Sequence, residues 1–157
     1  MRTSGLSVAA GVLIALAGPA LTDTPILTVT GQVADAPVEL TERDLKALPQ
    51  HRLATSTTVT DGTPVFEGFL MRDLLAQVGA EGEAVVALAL NDYRIEIPLT
   101  DFQDFDVIGA MTMDGEPLSP RDKGPVWIVY PRDDHSELQD IRYDTRWVWQ
   151  LVSLHVQ

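Results

Sequence analysis

Hydrophobic and polar positions alternate with a short period along much of this 157-residue chain, and that pattern predicts a fold built mainly from strands. The run PILTVTGQV, residues 25–33, has the β-branched character of a first strand. VELTERDLKALP then changes period. Leu45 and Leu48 share a helical face, Thr41 can cap with Asp44 three positions on, and Pro49 stops the helix. HRLATSTTVTDG, residues 51–62, is rich in Thr and Val and ends at the turn signal Asp61-Gly62, which predicts a strand feeding a loop. In FEGFLMRDLLAQVGA, Leu70, Leu74, Leu75 and Val78 give helical spacing and Gly79 is placed to end the helix. AVVALALNDYRIEIPL reads as two strands joined at Asn91-Asp92, the second with one wet face because Arg94 and Glu96 alternate with Ile95 and Ile97. VIGAMTM and PVWIVY predict further strands, and RWVWQLVSLHV predicts a long closing strand with a bulge near Leu151.

The sum is seven or eight strands and two short helices in irregular order. The class is α+β, mostly β, and not an alternating βαβ chain. No Gly-rich loop follows a strand, so the dinucleotide fingerprint and the P-loop are both absent.

The start of the chain departs from this pattern. Arg2, an apolar stretch over residues 6–16 and small residues at Ala15, Ala17 and Ala20 form the layout of a secretory signal peptide. The apolar core is shorter than the roughly 20 residues that span a bilayer. We expect a signal peptide at residues 1–22, cleavage between Ala17 and Thr22, and a single exported, periplasmic domain at residues 23–157. The chain has no cysteine, so the fold is held by packing alone and no thiolate can serve as nucleophile or metal ligand. Its net charge is −12, and a surface so acidic repels nucleic acid and anionic lipid.

Candidate chemistry is sparse. His51, His135 and His155 are scattered, and no serine sits in a nucleophile-elbow pattern. Asp133, Asp134, His135 and Glu137 could face a cation but read more simply as a solvated loop, and the acids of DFQDFDV are expected to face water around packed Phe102 and Phe105. Trp127 reads as core. Trp147 and Trp149 are two apart on the expected strand and so share a face, with Tyr143, Asp144, Thr145 and Arg146 beside them. Such a cluster can stack on a flat ring or simply anchor the core. The threonine-rich TSTTVTDG offers hydroxyls and one carboxylate, and a carboxylate can accept two parallel N–H bonds from the amide edge of a pterin or guanine-like ring.

The order of four segments resembles a known family. FEGFLMRDLLAQVGA is similar to the aromatic-x-Gly-Val-x-Leu-x-x-Leu-Leu segment of the sulfite-oxidase-like molybdopterin-binding domain. DYRIEIPL is similar to its Tyr-bearing strand leading to Ile-Pro, and MDGEPLSPRDKGPVWIVYPRD to its Asp-Gly-Glu-Pro-Leu, Gly-Pro, Val-x-Pro run. RWVWQLVSLHV resembles the Trp-bearing closing strand. The resemblance implies that family's mixed-sheet fold, with loops arranged around a pterin. In its catalytic members a cysteine thiolate ligates molybdenum at the end of the strand that corresponds to residues 51–62. Here that place holds Thr58, Thr60 or Asp61.

Short, exported, cysteine-free versions of this fold resemble bacterial periplasmic pterin-binding proteins. The resemblance therefore implies a non-catalytic accessory sensor that binds a reduced, metal-free pterin and touches the periplasmic domain of a membrane signalling protein. Thr58, Thr60 and Asp61 are the expected ring hydrogen-bonders, with Tyr143, Arg146 and Trp147 closing the pocket. The alternatives are a divergent molybdopterin-dependent oxidoreductase and an interaction module without a ligand.

Overall fold

The computed structural model describes residues 24–157, so the expected leader at residues 1–22 lies outside it. Two sheets organise the described residues. The first runs β2 (Val38–Thr41), β1 (Pro25–Gly31), β10 (Leu151–Val156), β5 (Ala84–Ala89), β6 (Arg94–Pro98). Its central pair β1·β10 is parallel and the remaining pairs are antiparallel, which makes it mixed, as expected. The second runs β3 (Gln50–Ala54), β4 (Val65–Leu70), β7 (Ile108–Met113). Two short strands, β8 (Glu116–Pro117) and β9 (Trp127–Val129), share the far edge of β7.

Local chemistry accounts for the element ends. At α1 (Glu42–Ala47) the Thr41 hydroxyl accepts from the Asp44 N–H and the Asp44 carboxylate accepts from the Thr41 N–H, a reciprocal cap. α2 (Met71–Gln77) ends as predicted at Gly79, whose φ of +64° suits glycine. Asp92, at φ +66°, makes the tight β5–β6 turn. The main core lies between the sheets and α2, around Leu27, Val29, Phe69, Met71 and Leu74. A second apolar cluster gathers Phe66, Ile108, Trp127 and Val129 on the second sheet, and Trp147 packs against both clusters.

Four expectations need correction. Residues 51–62 do not form one strand: pairing stops at Ala54 and a loop follows. The Thr57 hydroxyl accepts from the Val59 N–H at 3.0 Å and bonds the Thr60 hydroxyl at 2.8 Å, and these local bonds compete with a ladder. The closing strand begins at Leu151, not Arg146, because Gln150 is left-handed at φ +51° and is held by the Lys123 and Pro120 carbonyls. The bulge near Leu151 is present as a register shift against β5. Finally, DFQDFDV contributes to a helix, α3 (Leu99–Asp104). Phe102 and Phe105 are buried as expected, but so is Asp101, at 6% exposure. With α4 (Ile141–Asp144) and a 3-10 turn (Ser136–Gln139), the short helices exceed the two expected.

Two polar ties position the loops between the sheets. Asp101 Oδ2 accepts from the Tyr130 hydroxyl at 2.8 Å and from Arg146 at 2.5 Å, and so anchors the segment leading to Trp147. Burial first, and then the Asp101 carboxylate, hold the Tyr130 phenol far above its ordinary value, so it remains a donor. The second tie clips the threonine-rich loop. The Asp133 carboxylate accepts from the Ser56 N–H at 2.6 Å and the Ser56 hydroxyl at 2.5 Å, while Thr55 N–H reaches the Pro64 carbonyl at 3.2 Å and closes the loop base.

Removing Asp101 leaves a mostly buried guanidinium without its partner. Asp101→Ala should cost about 3 kcal/mol, the low end for a broken buried pair because Arg146 keeps some water contact. The expected readout is a lower urea midpoint with an unchanged m-value. An unchanged midpoint would show that the tie is dispensable.

The Asp133 carboxyl is held below its ordinary value, mainly by the Ser56 hydroxyl and then by the Ser56 N–H. A depressed carboxyl stabilises the fold above its ordinary value of about 3.9 and loses that contribution as pH falls through the folded-state value. The clip should therefore be constant from about pH 5 to 8 and fail only in acid. NMR titration should place the Asp133 midpoint below about 3.9, and Ser56→Ala should move it upward.

Candidate functional site

Where the β5–β6 turn meets β9, the chain encloses a pocket of about 230 Å³. Its aromatic lining is Tyr93, Trp127, Trp147 and Trp149. Trp127 is fully buried on β9 and stands edge-on to Phe66, with ring centroids 5.3 Å apart. Trp147 and Trp149 lie 6.2 and 6.3 Å from Trp127, each steeply inclined to it. They face one space although neither is on a strand. Val148 between them is buried, and its carbonyl accepts from the Ile128 N–H at 2.9 Å, so the backbone docks on the edge of β9.

The polar lining comes from three loops. Thr58 and Val59 reach in from the threonine-rich loop clipped by Asp133. Asn91 belongs to the β5–β6 turn, where its side chain accepts from the Tyr93 N–H at 3.1 Å. The Tyr93 hydroxyl in turn donates to the Thr145 carbonyl at 2.7 Å and ties that turn to the segment after α4. Asp144 and Thr145 complete the wall.

Three polar atoms of these lining residues are buried without a hydrogen-bond partner: Trp127 Nε1, Trp147 Nε1 and Asp144 Oδ1. Each such group costs about 1–3 kcal/mol when left unmet. All three belong to residues that border one cavity, so two N–H donors and one carboxylate oxygen lie within its aromatic wall. Lys123 lies 5.8 Å from the centre of the Trp127 ring and 5.9 Å from that of Trp149, and also pairs with Asp122.

The residues singled out from the sequence are placed as follows. Thr58 and Trp147 line the pocket together. Tyr143 and Arg146 sit behind the wall: Arg146 lies 4.8 Å from the centre of the Tyr143 ring while bonded to Asp101, and Tyr143 packs edge-on against Phe105 and Tyr130. Thr60 is turned toward the Thr57 hydroxyl, and Asp61 is exposed; neither lines the cavity. Sequence reasoning missed Val59, Asn91 and Tyr93 as site residues, and it read Asp144 and Thr145 only as neighbours of the tryptophan pair. Asn91 and Tyr93 were legible only as turn chemistry. Asp144 had one signal, an acid three residues before a tryptophan, which is too common to single it out. Trp127, read as core, is both core and pocket floor.

A larger open groove of about 460 Å³ lies over β3 and β4, lined in part by Lys46, His51, Arg52 and Glu67. Its long cations are already directed to acids, Lys46 to Glu42 and Arg52 to Glu67, and it has no aromatic wall. Among the described residues no three His, Asp or Glu side chains converge as a metal site. Among the described residues, the lining of the aromatic pocket offers a single carboxylate and no sulfur, imidazole or cationic side chain. That set fits a small fused ring with N–H groups on one edge. It does not fit the thiolate-ligated metal or the phosphate of a full molybdenum cofactor.

Comparison with known proteins agrees with this architecture. Among solved structures, the chain is similar to the sulfane dehydrogenase SoxCD from Paracoccus pantotrophus, with a TM-score of 0.64 at 19% identity. The likeness covers 83% of this chain but 37% of that one, and at this identity it is a likeness of fold. No curated protein matched. The family model described as oxidoreductase molybdopterin binding domain matches residues 17–133, which take in Thr58, Tyr93 and Trp127 and end before Asp144. On this match the chain belongs to the oxidoreductase molybdopterin binding domain family.

Proposed function

We propose that this chain is a non-catalytic binding protein for a reduced, metal-free pterin. The observation that carries the reading is the aromatic pocket with its three unmet polar atoms. Family membership supplies the ligand class, since the domain is one that binds a pterin cofactor. The metal-free reading rests on donor chemistry. The chain has no cysteine, and the hydroxyls or carboxylate at the place of the family thiolate are harder ligands that would alter both affinity and redox behaviour. The cavity, near 230 Å³, lies below the roughly 300–1,000 Å³ of sites for drug-sized ligands and suits one bicyclic ring.

The sensor role is the larger step. It rests on the leader-like N-terminus and on the resemblance to exported, cysteine-free pterin-binding proteins. On this reading the ligand acts on a membrane signalling partner by binding one arrangement of the pocket loops more tightly than another. The Thr58–Val59 loop and the β5–β6 turn are the segments whose arrangement a ring would bias, since both border the cavity. An open cavity also favours a ligand-binding role over a bare interaction module. Family membership favours molybdopterin-dependent redox chemistry as the second reading.

Titration with a tetrahydropterin should quench tryptophan fluorescence saturably, because all three tryptophans of the chain line the pocket. The expected Kd lies well below 1 mM, about −4 kcal/mol. Absence of saturation up to that concentration rejects the proposal. Elemental analysis of protein purified from its native source decides the second reading: stoichiometric molybdenum would overturn the metal-free assignment.

A further inference from the structure

We infer that Asp144 reads the hydrogen-bonding edge of the ligand, so that the pocket selects a 2-amino-4-oxo fused pyrimidine over its 2,4-dioxo counterpart. This deepens the pterin reading above and rests on it. Among the described residues that line the pocket, Asp144 is the only charged one. Both arginines two positions away are committed elsewhere. Arg142 bonds Asp140 through two nitrogens at 2.9 and 3.2 Å, and Arg146 bonds Asp101 at 2.5 Å. Asp144 is thereby left beside the cavity with Oδ1 buried and unpartnered. Rotation about the soft terminal torsion of an aspartate turns that oxygen toward the space the residue lines.

A bare carboxylate in an aromatic wall calls for N–H donors. A 2-amino-4-oxo ring presents an amino group and a ring N–H side by side, which match the two oxygens of one carboxylate. A 2,4-dioxo ring places a carbonyl between its N–H groups, so one carboxylate oxygen faces another lone pair. The remaining unmet atoms, Trp127 Nε1 and Trp147 Nε1, are buried N–H donors in the same wall and add no second acceptor to compete with Asp144. The carboxylate that the sequence offered for this role, Asp61, lies off the cavity.

The test compares tetrahydropterin with tetrahydrolumazine on the intact protein, by calorimetry or tryptophan fluorescence. Wild type should bind the 2-amino-4-oxo ring about ten- to a hundredfold more tightly, the usual worth of a hydrogen bond to a charged group. Asp144→Asn should lose most of that preference by weakening tetrahydropterin binding while changing tetrahydrolumazine binding less than about threefold, within ordinary context effects. Equal affinities in wild type overturn the inference and leave the pterin reading standing, as does a preference that survives in Asp144→Asn. A preference lost in Asp61→Asn instead assigns the role to Asp61 and overturns the inference too. Binding of neither ring removes both readings. Should Asp144→Asn fail to fold, the wild-type ratio decides, and a ratio near one is the overturning result.

Discussion

Asp101 Oδ2 accepts from the Tyr130 phenol and the Arg146 guanidinium, and the wall of the pocket depends on that shared acceptor. The segment from residue 144 to 149 has little regular structure to hold it. It is fixed by Arg146 at one end, by Val148 against β9 in the middle, and by Gln150 at the other end. A buried carboxylate is tolerable here because it has two good donors, and the phenol stays protonated because burial opposes its charge. The same arrangement occupies Arg146, and Asp144 Oδ1 stays without a hydrogen-bond partner among the described residues.

The site is thus organised by how its charges are spent. Lys123 lies over two of the pocket tryptophans, and Arg142 and Arg146 flank Asp144 in sequence, yet each is directed to an acid, Asp122, Asp140 and Asp101 respectively. What faces the cavity is aromatic surface, a few hydroxyl and amide groups, and one carboxylate. Such a wall favours a flat, neutral, N–H-bearing ring over a phosphorylated anion, and the acidic character of the whole chain acts in the same direction.

The family relationship and the pocket divide the chain differently. The family match ends at residue 133, whereas Asp144, Thr145, Trp147 and Trp149 come after it. The floor of the site, with Trp127 and the threonine-rich loop, belongs to the matched part. The far wall is built by the stretch beyond it. Floor and wall thus come from different stretches of one fold, and side-chain changes in either can alter the ligand chemistry without altering the frame.

Much of the architecture was legible in the residue order, because it depends on neighbours in sequence. The Thr41–Asp44 cap, the helix stop at Gly79, the Asn91-Asp92 turn and the alternation in β6 are all set by interactions within a few positions. The four family-like segments lie along the same chain and carry the mixed-sheet class with them. Asp101, Asp144 and the end of the strand at Ala54 were not legible, since each is decided by groups far away in sequence. Asp101 looks like any solvated acid until Tyr130, 29 positions away, and Arg146, 45 positions away, are brought to it. The threonine-rich run has strand composition, but Asp133 clips its start at Ser56, 77 positions away, and its own hydroxyls fold it into a loop. Sequence alone therefore determined the local elements, the mixed α+β class and the lack of any thiolate. Which carboxylate is buried and paired, and which is left facing a cavity, was decided only by tertiary packing, because a charge takes its role from the partners that folding places around it.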